Sequence, residues 1–321
     1  MFKGIKNQAF RFILNFFILV LILVFIDRVA GRITKHYYYK QVAGANYRTT
    51  YAMDSTTADI LVFGSSRANH HYVPEVFEDS LKMSFYNTGR DGNFLLFNYA
   101  VFQSVLKRYN PKIIILDINP ENLYYNKDDY DRLSSLLPYY NDHPEIQSIV
   151  KMRGPYEKYK LLSAIYPFNS SLLTIVIGNL EYNKIRKGDN KGYVPSYNQM
   201  KDTIVTTVPK PNSILDTTAL AALASIANTC KANHIRLLLI HSPWYVHADK
   251  IESSKILNQL ASKYGAEFLD FSNDSLFMKN PSWFKDKNHL NNTGATKFSA
   301  ILAGILAIDK THKLDPITGA Q

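Results

Sequence analysis

The residues best suited to chemistry lie far apart in this 321-residue chain. Gly64-Ser65-Ser66 follows the apolar run 59–63. A strand ending in Gly-x-Ser before a helix holds a hydroxyl at the C-terminal edge of a sheet. The glycine permits a tight turn there, and the helix N-terminus favours negative charge developing nearby. Gly-Ser-Ser is also common in ordinary turns. Near the other end, Asp286 and His289 stand three apart in DKNHLNNTG, residues 286–294. A hydroxyl nucleophile needs a base, and the base needs a group that holds its tautomer. Alone, the same pair suits a solvated loop or half of a metal site. No further His, Asp or Glu with clear ligand spacing accompanies it, so neither a metal nor another cofactor is expected.

Acyl chemistry also needs donors for an oxyanion. Two loops offer them. In Asn87-Thr88-Gly89-Arg90-Asp91-Gly92-Asn93 a glycine N–H can approach a ligand without Cβ interference, and in Asp117-Ile118-Asn119 the asparagine amide can point into the same cleft.

The elements that must position these residues are short apolar runs alternating with amphipathic stretches. The runs are 59–63, 83–87, 112–118, 235–240 and 267–271. Continuous apolar runs of this length fit parallel strands buried on both faces, with crossover helices between them at about 94–108, 215–233, 249–264 and 293–308. Asp216 or Thr217 caps the second helix and Thr293 the last. The expected class is α/β, with about five parallel strands. Between Asn119 and Asn212 the rhythm breaks. That interval carries many tyrosines and prolines and is too long for one crossover or one structureless loop. It reads as a mainly helical insertion leaving a strand's C-terminal end, where open α/β sheets bind ligands.

Residues 12–26 contain fourteen apolar side chains and Asn15. Extended by Phe10 and flanked by Arg11 and Arg28, they read as a transmembrane helix. A cleaved signal peptide has a similar apolar core, but no clean small-x-small site follows. Lys3, Lys6 and Arg11 favour a cytoplasmic N-terminus, which puts the remainder outside. The formal net charge is +10, and residues 1–35 supply half of it, with six basic residues against Asp27. The body has no dense basic stripe, which argues against nucleic acid as partner. The single cysteine, Cys230, forms no internal disulfide and reads as a buried, inert thiol. The expected organisation is cytoplasmic stub and anchor 1–35, juxtamembrane linker 36–57, catalytic parts 58–120 and 212–308, insertion 121–211 and tail 309–321.

The ordered set of motifs resembles the blocks of the SGNH/GDSL hydrolase superfamily. FGSSR at 63–67 is similar to the serine block, with Ser65 where many members have aspartate. NTGRDG at 87–92 is similar to the glycine block. DIN at 117–119 is similar to the Gly-x-Asn block, with Asp117 replacing the glycine. DKNHLNNTG is similar to the Asp-x-x-His block. The resemblance covers residues 58–119 and 212–305, and neither the anchor nor the insertion.

It implies a three-layer flavodoxin-like fold. It also implies a triad of Ser66, His289 and Asp286, and an oxyanion hole from Gly92 and Asn119. The expected function is that of a serine esterase or O-acyltransferase acting on acyl esters of cell-envelope glycan, or on a small ester. A membrane protein could serve as acyl donor, and the chain would cross the bacterial cytoplasmic (inner) membrane once. With its single anchor, the architecture is similar to that of the alginate O-acetyltransferases and the lipoteichoic-acid D-alanylation proteins. The other function class is a catalytically silent module of the same fold that binds glycan or a membrane partner. Arg67, His70 and His71 read as packing or as contacts to an anionic acceptor, His241 and His247 as cleft lining, and 152–160 as a solvated basic face.

Overall fold

Four of the five apolar runs are buried, and all five form strands because each can be covered on both faces. The computed structural model describes residues 2–180, 190–201, 206–207, 214–247 and 252–312. The strands of its main sheet are β1 (Ile60–Phe63), β2 (Phe85–Asn87), β3 (Ile113–Asp117), β4 (Arg236–His241) and β5 (Glu267–Asp270). All pair in parallel, in the order β2-β1-β3-β4-β5. Side chains alternate between faces along each strand. Ile60, Val62, Ile115, Leu238 and Ile240 face one core, with the helices α3 (Ser66–His71), α4 (Pro74–Leu81) and α13 (Asn292–His312). Leu61, Phe63, Ile114, Leu116, Leu237 and Leu239 face the other, with α2 (Gly44–Asp54), α5 (Leu95–Leu106), α10 (Thr217–Ala232) and α11 (Glu252–Tyr264). The result is a three-layer α/β sandwich. Strand order reverses direction between β1 and β3, and a doubly wound sheet opens its ligand crevice at such a point.

The crossover helices fall close to where the apolar pattern puts them. Asp216 caps α10, its Oδ1 accepting from the Thr218 and Ala219 N–H groups at 2.8 and 3.2 Å. The cap of α13 is not Thr293. Asn291 Oδ1 accepts from the Gly294 N–H at 3.1 Å, two residues earlier than the sequence suggests. Past His312 the expected tail lies outside the described residues.

The segment expected to be a linker is part of the folded body. The first helix, α1, runs from Phe2 to Tyr39, and α2 follows at once. Tyr38, Ala52 and Met53 are buried, and the Tyr38 hydroxyl donates to that of Tyr139 at 3.0 Å. Three backbone carbonyls at the end of α2 (Ala52, Met53 and Thr56) bind the Arg108 guanidinium at 2.6–3.1 Å. Within α1, residues 7–26 carry exposed apolar side chains, and one window has a mean hydropathy of 2.7 with no residue buried. By length and composition this helix can cross a membrane, as an anchor or as a signal sequence.

Between Pro120 and Asn179 the insertion is built of 3₁₀ turns and the short helices α6 (Lys127–Asp131), α7 (Gln147–Lys151), α8 (Glu157–Lys160) and α9 (Leu172–Asn179), whereas residues 190–201 form no helix and Thr206–Thr207 pair in parallel with Val246–His247. Its Leu133, Leu136, Leu137, Tyr139, Ile149 and Phe168 belong to the same core as Phe97, Val101 and Ala222. Residues 181–189 of the insertion, and most of 202–213, lie outside the described residues. A shared core predicts shared unfolding. Leu136→Ala should destabilise the protein by about 2–5 kcal/mol. Both tryptophans, Trp244 and Trp283, lie outside the insertion. Their fluorescence in a denaturant titration should nevertheless show the lowered midpoint. An insertion that melts alone would leave that midpoint where it is.

Candidate active site

The hydroxyl comes from the turn between β1 and α3. Gly64 has φ +151, and a Cβ there would meet Ala68 Cβ at 2.7 Å and the Asp117 carbonyl oxygen at 2.8 Å. Only glycine lets the chain pass this close to β3 and turn into α3. Ser66 is the first residue of α3, so its N–H has no partner within the helix.

Asp286 and His289 are held on a hairpin and not in a plain loop. Phe284–Asp286 and His289–Leu290 form a small antiparallel hairpin ahead of α13, with a register shift between Phe284 and Asp286. Asp286 Oδ1 accepts from the Asn288 N–H at 2.9 Å and from the His289 N–H at 3.0 Å, which closes the turn. The same carboxylate takes the imidazole, with His289 Nδ1 at 2.8 and 3.0 Å from its two oxygens. A carboxylate only accepts, so Nδ1 carries the proton and Nε2 of the neutral ring is an acceptor. Nε2 lies 2.7 Å from Ser66 Oγ, across 223 residues of sequence. Burial pushes the Asp286 carboxyl up, but the bonds from His289 and the Asn288 N–H outweigh this and hold it below its usual range. A hydroxyl bonded to an imidazole whose far nitrogen is held by a carboxylate can act as a nucleophile under general-base catalysis.

A backbone link fixes the approach of the two segments. His71 is fully buried on α3. Its Nε2 accepts from the Leu290 N–H at 2.9 Å, so Nδ1 carries the proton and donates to Ser242 Oγ at 2.9 Å. His71 thus ties the helix of Ser66 both to the residue after His289 and to the end of β4. Its neighbour His70 holds the Val194 carbonyl through Nδ1 at 2.6 Å and faces the Asp91 carboxylate at 3.4 Å. Asp91 also accepts from Asn69 at 2.6 Å. Burial raises its carboxyl, yet the His70 and Asn69 contacts prevail and bring it down to about 2. His70 and His71 are therefore packing and bracing groups.

A cleft of about 260 Å³ opens over Ser66 and His289, lined also by Arg67, Asn119, Glu121 and Trp244. Asn119 Oδ1 accepts from the Glu121 N–H at 3.0 Å, which turns the amide and leaves its NH₂ group for the cleft. Gly92 is not among the residues that line it. Gly92 has φ +67 and packs on the Arg132 guanidinium of the insertion, and the nearby wall of the cleft is Phe94. Arg67 is 8% exposed. Its Nε lies 3.7 Å from Asp117 Oδ1 and its guanidinium is 5.6 Å from the Trp244 ring. The other oxygen of Asp117, which replaces the glycine of the expected block, accepts from the Tyr72 hydroxyl at 2.8 Å. The substitution thus places a buried anchor for Arg67 and α3 where a bare turn was expected.

His241 is buried at the end of β4, and burial lowers its basicity. Its Nδ1 is 3.4 Å from Asp270 but outside hydrogen-bond geometry. His241 does not line the cleft, and the side chain of His247 lies outside the described residues. Cys230 is buried in α10, with its thiol pushed up to about 12 by desolvation. Among the described residues no group of three or more His, Cys, Asp or Glu is arranged to hold a metal ion. Phe94, Glu121 and Asn122 also line the cleft, and no motif in the sequence marks them. Their only signal was position, directly after the two donor loops.

Comparison with known proteins adds little to this geometry. No family model matches the chain, and no curated protein does. Among solved structures it is similar to one described as BT4096, a gut microbial diltiazem-metabolizing enzyme, with a TM-score of 0.33 and 14% identity. That match covers 77% of this chain and spans 47% of the other, too distant a likeness to carry function.

The His71 brace has a pH signature. Burial, with His289 and Arg67 nearby, holds its imidazole well below its usual 6.5. The unfolded chain takes up a proton as pH falls through 6.5 and folded His71 does not, so stability drops below that pH. His71→Gln removes this share. Its denaturation midpoint should fall less steeply than that of the parent between about pH 7 and about pH 5. An unchanged slope would mean that His71 is protonated in the fold.

Proposed function

We propose that this chain is a membrane-anchored serine esterase or O-acyltransferase of SGNH/GDSL type, with its catalytic domain outside the cytoplasm. The single observation that carries the reading is the 2.7 Å contact between His289 Nε2 and Ser66 Oγ, with Asp286 behind the ring. His289 takes the Ser66 proton as Oγ attacks the carbonyl carbon of an ester. The carbonyl oxygen becomes an oxyanion, met by the Ser66 N–H and the Asn119 amide. His289 then protonates the departing alkoxide, leaving an acyl group on Ser66. Water or a sugar hydroxyl gives its proton to His289, attacks the acyl carbon and releases the serine. The resemblance supplies Gly92 as a further donor. Gly92 packs against Arg132 outside the cleft lining, which leaves Ser66 and Asn119 as the donors that the geometry supports.

Size and polarity favour a small acyl group on a polar carrier. At about 260 Å³ the cleft is smaller than the roughly 300–1,000 Å³ of drug-sized sites. Arg67, Glu121, Asn122 and Asn288 put hydrogen-bonding groups around it, as a glycan acetyl ester requires. Transfer and hydrolysis differ only in which hydroxyl enters second. The anchor and the cytoplasmic bias of Lys3, Lys6 and Arg11 fit work on the envelope side of a bacterial inner membrane, with a membrane protein as the possible source of acyl groups.

The test uses the full chain in detergent. A fluorophosphonate should label the parent protein, and Ser66→Ala or His289→Ala should abolish labelling without shifting the unfolding midpoint. Hydrolysis of a chromogenic acetyl ester should fall by about 10²–10³ in Asn119→Ala. A folded parent protein that neither labels nor hydrolyses would favour the silent binding module instead.

A further inference from the structure

The anchor helix does not leave the membrane as a free stalk. The apolar run 12–26 is fifteen residues, about 22 Å of helix at 1.5 Å per residue. A hydrocarbon core is about 30 Å thick. Arg11 closes the run on one side, so the bilayer's outer face falls near Asp27 to Arg32 and not before them. The insertion meets α1 at this level. The Asp27 carboxylate accepts from the Ser163 hydroxyl and from the Ala164 and Ile165 N–H groups, and Arg28 donates to the Leu162 carbonyl at 2.7 Å. Gly31 makes the approach possible, since a Cβ there would meet Ala164 Cβ at 2.5 Å. A carboxylate at the edge of a bilayer is costly unless it is bonded, and this one is bonded by the insertion.

The turn just before this joint has the wrong surface for open water. Tyr156, Tyr159 and Leu162 are 69%, 59% and 67% exposed. Lys158 lies over the Tyr159 ring, 4.8 Å from its centroid, and Arg28 and Arg32 are exposed on the neighbouring turns of α1. The nearby acid Glu157 is only 2% exposed and is used up by Arg153, Lys160 and Tyr166. Tyrosines, a leucine and exposed cations at one level, Arg28 among them although it lies 3.9 Å from Asp27, are the composition of a membrane–water interface.

We propose that residues 156–162 lie in the headgroup layer of the bilayer that α1 crosses and bind anionic lipid through Lys158, Arg28 and Arg32. The domain then stands on two membrane contacts, one spanning and one lying flat, and its cleft is held at a fixed height and tilt. This rests on α1 being an uncleaved span, and the test separates the two.

Single cysteines are introduced as Leu19→Cys, Tyr159→Cys, Leu162→Cys or Lys297→Cys in a Cys230→Ala background. Each carries an environment-sensitive fluorophore. The full chain is placed in vesicles of three parts phosphatidylcholine to one part phosphatidylglycerol, with nitroxide quenchers near the headgroup or deep in the acyl chains. Lys297 is exposed on α13, across the sheet from the insertion, and serves as the solvent reference. The expected result is strong quenching of the probe at 19 by the deep nitroxide. Positions 159 and 162 should be quenched by the shallow nitroxide, several-fold above position 297. Quenching at 19 with 159 and 162 at the level of 297 overturns the second contact and leaves the anchor standing. Absence of quenching at 19 removes the anchor, and the proposal with it.

Discussion

The candidate site depends on the hydrogen bond from the Leu290 N–H to His71 Nε2. Ser66 and His289 are 223 residues apart in sequence, and the distance between their polar atoms rests on how the helix of one is joined to the hairpin of the other. The His71 ring is rigid, buried and on the same six-residue helix as Ser66. By accepting the backbone N–H next to His289 it converts the placement of that imidazole into a matter of main-chain geometry. A side-chain contact alone would cost rotamer entropy each time it formed. A hydrogen bond to the backbone, in a site closed to water, is strengthened by the low local dielectric and costly to leave unmade.

From that joint the architecture follows outward. Sheet order puts the ends of β1 and β3 side by side at the reversal point, so Ser66 and Asn119 share one crevice. The loop between β2 and α5 is tied to α2, because Arg90 donates to the Ala45 carbonyl, the Thr49 hydroxyl and the Asn46 side chain. The Tyr139 hydroxyl reaches Thr50 as well as Tyr38, so α1, α2 and the insertion close around one polar knot inside an apolar core. Each member of that knot has a partner, which lets hydroxyls sit buried without loss.

Much of this was legible in the chain. Strands buried on both faces read as short apolar runs, and the five runs lie within two residues of the five strands. Apolarity alone does not decide the matter, since the equally apolar Leu172–Ile177 is helical. Ser66, Asp286 and His289 were legible as residue types at strand and helix edges. What the sequence hid has physical reasons. The hairpin carrying Asp286 and His289 is two short pairs with an irregular register, too brief to show alternation. The cap of α13 moved to Asn291 because Asn291, Thr293 and Asn292 are all competent caps within three residues, and tertiary contacts choose among them. The stretch 36–57 looked like a polar linker because tyrosine has both a polar tip and an apolar ring. Tyr38 buries its ring and satisfies its hydroxyl against Tyr139, a hundred residues away. The bracing role of His71 needed a partner 219 residues distant and had no local signature.

The fusion of α1 and α2 with the insertion bears on how such a protein can evolve. A domain on a flexible tether is a cassette. Recombination can move it to another anchor, or release it as a secreted form, by exchanging a stretch of spacer. Here the stretch from Asp27 to Asp54 supplies core residues and the acceptor for a turn of the insertion, so any exchange upstream of α2 would open the interior. The helix α1 is thus part of the folding unit, and it is inherited or lost together with the domain.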